Sequence, residues 1–492
     1  MTTYDLRTTL SFTKAPRRWH LAAADSPSGI TGADDDAGPI DIPRRSARPV
    51  ADEPAPNAPA TYLRPNTLWT SLQIVTRQGD MFFADAAEHG DLLRYKFPGG
   101  PNSVAVLTNP SHIRSVMTAD PDIAPSATRQ SPLRPIVGPN SVLTSIGPRH
   151  RRQRTLLMPR FHGKSVAAYR ESIETATATH IDSWPVGQPI RLADMAQQLT
   201  LDVIMAAVFG LPDGVPNTEA EHALRSSMVR MLRWSTHPLA TVAQLANSFN
   251  ENPVGITKLI LRPVDAAIAA LLAERRAESS SVERTDIAAL LLAARTDDGM
   301  PLPDSEIRDE LLTLVLAGHE TTANTVAWTF ERLTRNPDVY RDARDAARAG
   351  DDDYIEALLN ESMRARPVVP LVARELLQPW QFGAYRVDPG TVALISILLL
   401  HHRDDIYPRP FEFTPERFLG VRPASHTLMP FGGGNRRCLG ATLAMAELRI
   451  VVTEILRRVD LELTDRAPER PRHRNVTMIS RDGGLVRANA IR

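Results

Sequence analysis

A single cysteine, Cys438, ends the stretch FGGGNRRC that begins at Phe431, and it stands directly before a long amphipathic pattern, LGATLAMAELRIVVTEILRRV. One cysteine permits no intramolecular disulfide, so a chain of 492 residues must hold itself together by burying apolar surface. A hydrophobic share of 42% suffices for a large core. The cysteine count also excludes a fused ferredoxin and fits a reducing compartment, so the expected location is the cytoplasm. Basic and acidic residues balance at 57 each, which leaves no overall field favouring nucleic acid. Only four of the basic residues are lysine; that bias, with the many Ala and Pro, points to a GC-rich bacterial genome. No apolar run of about 18 residues stands out, so no membrane span is expected. The N-terminus lacks the apolar core of a secretory signal.

The neighbours of Cys438 limit what it can do. Three consecutive glycines let a backbone approach something flat and bulky and leave its amides free to donate. A thiol at a helix N-terminus, beside Arg436 and Arg437, is drawn towards thiolate. A lone buried cysteine is ordinarily a small apolar residue, but that reading leaves the glycines and arginines unexplained. A catalytic thiol lacks a clear His/Asn partner pattern. A thiolate bound to haem iron accounts for every part.

A second feature is a helical pattern from Asp304 to Asn336. Asp304 and Ser305 are its candidate caps, Glu306 sits in the first turn, and Asn336-Pro337 stops it. About 32 residues at ~1.5 Å each give ~48 Å, enough to cross a domain. LAGHETTANT, residues 316–325, interrupts this pattern with small and polar groups. Ala317, Gly318, Thr321 and Thr325 share one face. A small-residue crossing point with another helix is one explanation. A zinc-protease helix is not, because Ala323 stands where HETTA would need its second histidine.

Residues 1–60 are rich in Pro and charge and are expected to form a poorly ordered extension. Residues 61–492 read as one domain, mainly α with a small β-sheet region. Helical periodicity is plain in AYRESIETATATHIDSWP and PVDAAIAALLAERRAE. Strand-like pieces are short: SVAVLT near Ser103, FGAYRV near Phe382 and TVALISI near Thr391.

FGGGNRRCLG matches F-x-x-G-x-R-x-C-x-G at every fixed position, Phe431, Gly434, Arg436, Cys438 and Gly440, and so resembles the haem-thiolate signature of the cytochrome P450 family. The resemblance covers roughly Thr61 to the C-terminus and implies the cytochrome P450 fold and haem b, iron protoporphyrin IX. It makes Cys438 the axial iron ligand, places Phe431 near the sulfur, and gives His150, Arg154, Arg374 and Arg436 to the haem propionates. Glu361 and Arg364 in ESMR, with Arg417 in FTPERF, resemble the family's buried structural charge network. AGHETT resembles its oxygen-activation notch, (A/G)-G-x-(D/E)-T-(T/S). There Ala317 and Gly318 would give room for dioxygen, Thr321 would hold an oxygen or a water, and Glu320 would relay protons from solvent.

That acid–alcohol pair implies a monooxygenase acting on a small hydrophobic substrate. Electrons would come from an external ferredoxin and its reductase, docking near Arg403, Arg436 and Arg437, and the enzyme would work as a monomer. A peroxygenase or rearrangement enzyme without a redox partner is the alternative, and a non-enzymatic haem sensor or carrier is a second. In the family the variable segments set the substrate pocket, here about 122–146 and 226–262; Met228, Met231, Leu232, Trp234, Leu239, Leu245 and Phe249 in the second fit either a pocket lining or the core.

Overall fold

The computed structural model describes residues 58–59, 62–63 and 68–492, apart from 97–102, 212–213, 279–283, 465–466 and, within 236–251, all but 237, 240, 243, 247 and 250. The extension expected over residues 1–60 therefore lies outside the described residues, except for Ala58–Pro59, which pair in parallel with Tyr385 and Arg386. Helices dominate. In chain order the longer ones are α1 (Leu68–His89), α2 (Pro110–Met117), α3 (Gly147–Leu157), α4 (Lys164–Asp182), α5 (Leu192–Phe209), α6 (Glu219–Ser235), α7 (Gly255–Ala277), α8 (Asp304–Thr334), α9 (Pro337–Ala349), α10 (Asp352–Ala365) and α11 (Ala441–Arg458).

The long helix α8 runs through the centre, as its length requires. Its start is not capped as expected. Pro303 occupies the cap position and its carbonyl accepts from the Glu306 and Ile307 amides. Asp304 lies inside the first turn and accepts instead from Arg276 Nη1 of α7 at 3.0 Å, an ion pair that outcompetes a local cap. Along α8, Leu311–Val315 and Thr322–Leu333 are buried, and they join one core that extends from Leu157 to Ala488.

The most extensive packing of α8 is against α5. By length and composition α5 could cross a membrane, with a mean hydropathy of 1.3, but 67% of it is buried inside the protein. Its apolar character belongs to this helix crossing.

Sheet structure is confined to small pieces. Strands β1 (Leu92–Tyr95), β2 (Val104–Leu107), β3 (Leu371–Leu376) and β4 (Thr391–Ser396) form a sheet of order β1-β2-β4-β3, in which β2 and β4 are parallel. Ala105, Leu107, Ala393 and Ile395 pack on one face and Leu93, Tyr95, Val104 and Val106 on the other. Both faces are covered, which is why these strands read as apolar runs rather than alternating ones. The piece expected as one strand near Phe382 is a hairpin, Trp380–Phe382 with Tyr385–Val387, turning at Gly383. A second hairpin, β5 (Pro471–Arg474) with β6 (Thr477–Ser480), packs against α8.

Candidate active site

Four basic side chains come together from three separate parts of the chain. His150 and Arg154 lie on α3, Arg374 on β3, and Arg436 in the Gly-rich loop before α11. Each arginine spends donors on main-chain carbonyls. Arg154 Nη1 donates to Arg437 O at 2.7 Å, Arg374 Nη2 to Gly433 O at 3.4 Å, and Arg436 Nη1 to Val142 O at 3.0 Å, with Nη2 donating to Ser145 O. These bonds fasten the Gly-rich loop to its surroundings but neutralise nothing.

Among the described residues none of the three arginines has a carboxylate partner. Burial pulls Arg374 down to about 10, and burial with Arg374 and Arg154 nearby pulls Arg436 to about 10. The same burial, then Arg436, Arg154 and Arg374, push His150 down to about 3, so its imidazole is neutral. A buried arginine beside two half-buried ones, without an anion, is costly, and a ligand bearing two carboxylates would satisfy them. The residues therefore fit a haem with its two propionates.

Cys438 lies between this cluster and α11. Its amide donates to Phe431 O at 2.8 Å. It sits deep in the fold yet keeps accessible surface, so it opens onto an internal space rather than bulk water. The Gly440 amide and the neighbouring arginines favour the thiolate as expected, but burial outweighs them. Burial pushes the Cys438 thiol up, and the Gly440 amide, Arg437 and Arg154 only partly offset this. Two residues separate Cys438 from the first turn of α11, and dipole effects fade within a turn. A bound metal ion would supply the missing positive charge.

Gly434 is required by two independent facts. Its φ is +64°, and a Cβ there would lie 2.2 Å from Met117 O of α2. Left-handed backbone costs a residue with a side chain about 1–2 kcal/mol, and the contact with a carbonyl adds to it. Gly434→Ala should therefore yield protein with little bound haem, read from the ratio of haem to protein absorbance. Gly440 makes only ordinary contacts; a Cβ there would meet Phe161 at 3.7 Å. Phe431 and Leu439 are half-buried and pack on the main core, as does Leu316 of α8.

On α8 the interruption is visible as accessibility. Ala317 is exposed, and Gly318, Glu320 and Thr321 are half-buried, within a helix otherwise buried on both sides of them. Thr321 Oγ1 donates to Ala317 O at 2.6 Å. Gly318 does not serve as expected. A Cβ on it would fall 2.7 Å from Ile204 Cδ1, so its missing side chain admits α5 and not a ligand. Of the two small residues, Ala317 is the one left exposed. Glu320 turns towards the second hairpin, where its Oε1 accepts from Arg474 Nε at 2.8 Å and Thr477 Oγ1 at 2.7 Å. His319 is buried against α5, with its carbonyl accepting from Thr200 Oγ1 at 2.9 Å.

The charge network behind the site is present. Arg364 Nε donates to Glu361 Oε2 at 2.6 Å and Nη2 to Oε1 at 2.8 Å, with both side chains fully buried, and Arg417 lies 3.1 Å from Glu361. The expected docking cations are not free. Arg403 pairs with Asp91 at 2.7 Å and Asp405 at 2.6 Å, and Arg436 points inward, which leaves Arg437 exposed. Of the expected pocket residues, Met228, Met231 and Leu232 are in the main core, Trp234 stacks on His237, and Leu239, Leu245 and Phe249 lie outside the described residues. Sequence reasoning missed that the 122–146 segment lends its carbonyls to Arg436; carbonyls carry no side-chain signal.

Comparison with known proteins agrees with this arrangement. The family model described as Cytochrome P450 matches residues 63–486. The chain is 37% identical over 385 residues to the putative cytochrome P450 137 of Mycobacterium tuberculosis, covering 78% of this chain and 80% of that protein. It is also 37% identical over 402 residues to the putative cytochrome P450 135B1 of Mycobacterium bovis, covering 80% and 84%. A cyanobacterial structure, retinoic acid bound CYP120A1, superposes with a TM-score of 0.72 at 22% identity, over 89% of this chain and 100% of that one. With its central interrupted helix, its cationic cradle and a family match along nearly its whole described length, this chain belongs to the cytochrome P450 family, the haem-thiolate monooxygenases that carry haem b.

Proposed function

We propose that residues 61–492 act as one haem-binding catalytic domain. It inserts one oxygen atom of dioxygen into a hydrophobic organic substrate, with electrons from an external ferredoxin and its reductase. The observation that carries this reading is that Ala317, Gly318, Glu320 and Thr321 stay accessible in a helix buried on both sides of them, with its acid and its hydroxyl both in place. Bound haem supplies the activation of dioxygen, and a thiolate ligand favours cleavage of its O–O bond.

The chain's own residues do the rest. Cys438 would ligate the iron, with the Gly440 amide donating to the sulfur. Arg154, Arg374 and Arg436 would meet the propionates, with neutral His150 as a further donor. Thr321 gives its own proton to Ala317 O, so its remaining lone pairs accept from a water or a protonated oxygen. Glu320 holds its position through Arg474 and Thr477, and Oε2 is the atom left to carry a proton. The substrate class best suited to such a site is a lipid, terpenoid or steroid-like molecule.

Thr321→Ala should keep haem and oxygen consumption but divert reducing equivalents to peroxide, with hydroxylated product falling on the order of tenfold or more, as for loss of one positioned proton-handling group. Product and peroxide assayed together decide it, and full coupling would remove Thr321 from the relay. The broader reading is tested by running turnover with reduced nicotinamide, ferredoxin and reductase, and separately with peroxide alone. Turnover on peroxide alone would favour the partner-free alternative. Binding without turnover under either condition would favour a sensor or carrier.

A further inference from the structure

Three acids on the first turns of α8, Glu306, Asp309 and Glu310, are buried, at 5%, 4% and 0% exposure, and share one helix face. They do not reach the notch. They grip the segment from Asn140 to Gln153. Asp309 Oδ2 accepts from the Asn140 amide at 3.0 Å and its Nδ2 at 3.1 Å. Glu306 Oε1 accepts from Arg152 Nη2 at 2.8 Å and Gln153 Nε2 at 3.0 Å, and Gln153 Oε1 accepts from Ser145 Oγ. Glu310 Oε1 accepts from the Val142 amide at 3.0 Å.

Val142 is thus held at both ends. Its amide donates to Glu310, and its carbonyl accepts from Arg436 Nη1 at 3.0 Å. Nothing else about Glu310 explains why a carboxyl is buried there. Its second oxygen, Oε2, has no hydrogen-bond partner. We propose that Glu310 is a positioning residue for the cofactor: through the Val142 peptide it sets the carbonyl that orients Arg436, and so the guanidinium that meets a propionate. The inference rests on the reading of Arg436 given above.

The chemistry of the clasp gives it a pH signature. Burial raises Glu310 to about 8, against the pull of the Val142 amide and with help from Glu306 and Asp309. The charged groups around it are those two acids, Arg308 on Asp309 at 3.0 Å, Arg152 from α3 on Glu306, and Arg295, which lines the same cavity of about 100 Å³. None of these cations pairs with Glu310. A carboxyl whose folded value lies above its unfolded one is favoured neutral by the fold. The clasp is therefore most strongly favoured below the ordinary carboxylate range, loosens as pH rises through neutrality, and has lost this contribution once pH passes about 8.

The experiment is the rate of haem transfer from ferric holoenzyme to excess apomyoglobin, followed between about pH 6.5 and 9.5. Wild-type transfer should accelerate as pH rises towards about 8 and level off above it. Glu310→Gln keeps the acceptor and cannot ionise, so its profile should be flat and no faster than wild type at any pH in this range. Glu310→Ala should transfer haem about tenfold faster, the consequence of one lost buried hydrogen bond. Arg436→Ala should be faster still, and adding Glu310→Ala to it should change nothing further. A Glu310→Gln protein that keeps the wild-type acceleration overturns the proposal, and this arm stands even if Glu310→Ala does not fold. An additive double variant, or wild-type transfer in Glu310→Ala, overturns it while leaving Arg436 in its role. Wild-type transfer in Arg436→Ala overturns both.

Discussion

A Cys438→Ala protein is expected to lose the strongly red-shifted carbon monoxide band of a thiolate-ligated haem and to show no detectable turnover. The reason lies in the balance at this residue. Burial holds the free thiol protonated, and only the Gly440 amide, Arg437 and Arg154 favour the thiolate. Iron supplies the remaining charge, so haem uptake by apoprotein should release a proton from Cys438, and uptake should weaken as pH falls. Alanine removes the ligand and leaves the cationic cradle intact, because His150, Arg154, Arg374 and Arg436 are held by α3, β3 and main-chain carbonyls. The variant should therefore still take up some haem, with a band at the shorter wavelength of imidazole- or water-ligated iron. The reduced carbon monoxide difference spectrum reads both outcomes, and an unchanged red-shifted band would refute Cys438 as the ligand.

What the sequence disclosed, and what it concealed, follows from where each signal lives. The Gly-rich loop was legible because its demands are local. Gly434 needs a left-handed backbone within a short, continuous stretch, and Cys438 and Arg436 are two residues apart. Helix α8 was legible through its period and its stop at Asn336-Pro337. Gly318 was not, because an absent side chain looks the same whether the space admits a ligand or Ile204 of another helix. The cap at Asp304 was misjudged because its actual partner, Arg276, belongs to a different helix. Glu306 was placed only in the first turn, and nothing local marked Asp309 or Glu310, because their partners Asn140, Val142, Arg152 and Gln153 lie more than 150 residues away in sequence. Strands such as β1 and β3 are too short for a two-residue period to declare itself.

The largest stability effect is expected at Glu361. Its carboxylate takes two hydrogen bonds from Arg364 and one from the Thr414 amide at 2.8 Å, at full burial. Arg364 is equally committed, donating also to His401 O at 2.9 Å and Pro410 O at 2.8 Å. Glu361→Ala strands this guanidinium in the interior, and removing one partner of such a pair costs about 3–5 kcal/mol. Whole domains are stable by only about 5–15 kcal/mol, so little folded holoprotein should accumulate. Arg417 differs in degree. It is 3.1 Å from Glu361 with a side chain 13% exposed, but its Nε makes no hydrogen bond, and its other donors go to Pro408 O and Glu412 O. Arg417→Ala leaves Glu361 still held by Arg364 and Thr414, so it should cost clearly less. Haem content and thermal unfolding midpoints of the two variants measure this order. If Glu361→Ala accumulated normally with full haem, the pair would contribute far less than its burial requires. If Arg417→Ala were the more damaging change, the long-range contact across the chain would outweigh the buried pair on α10.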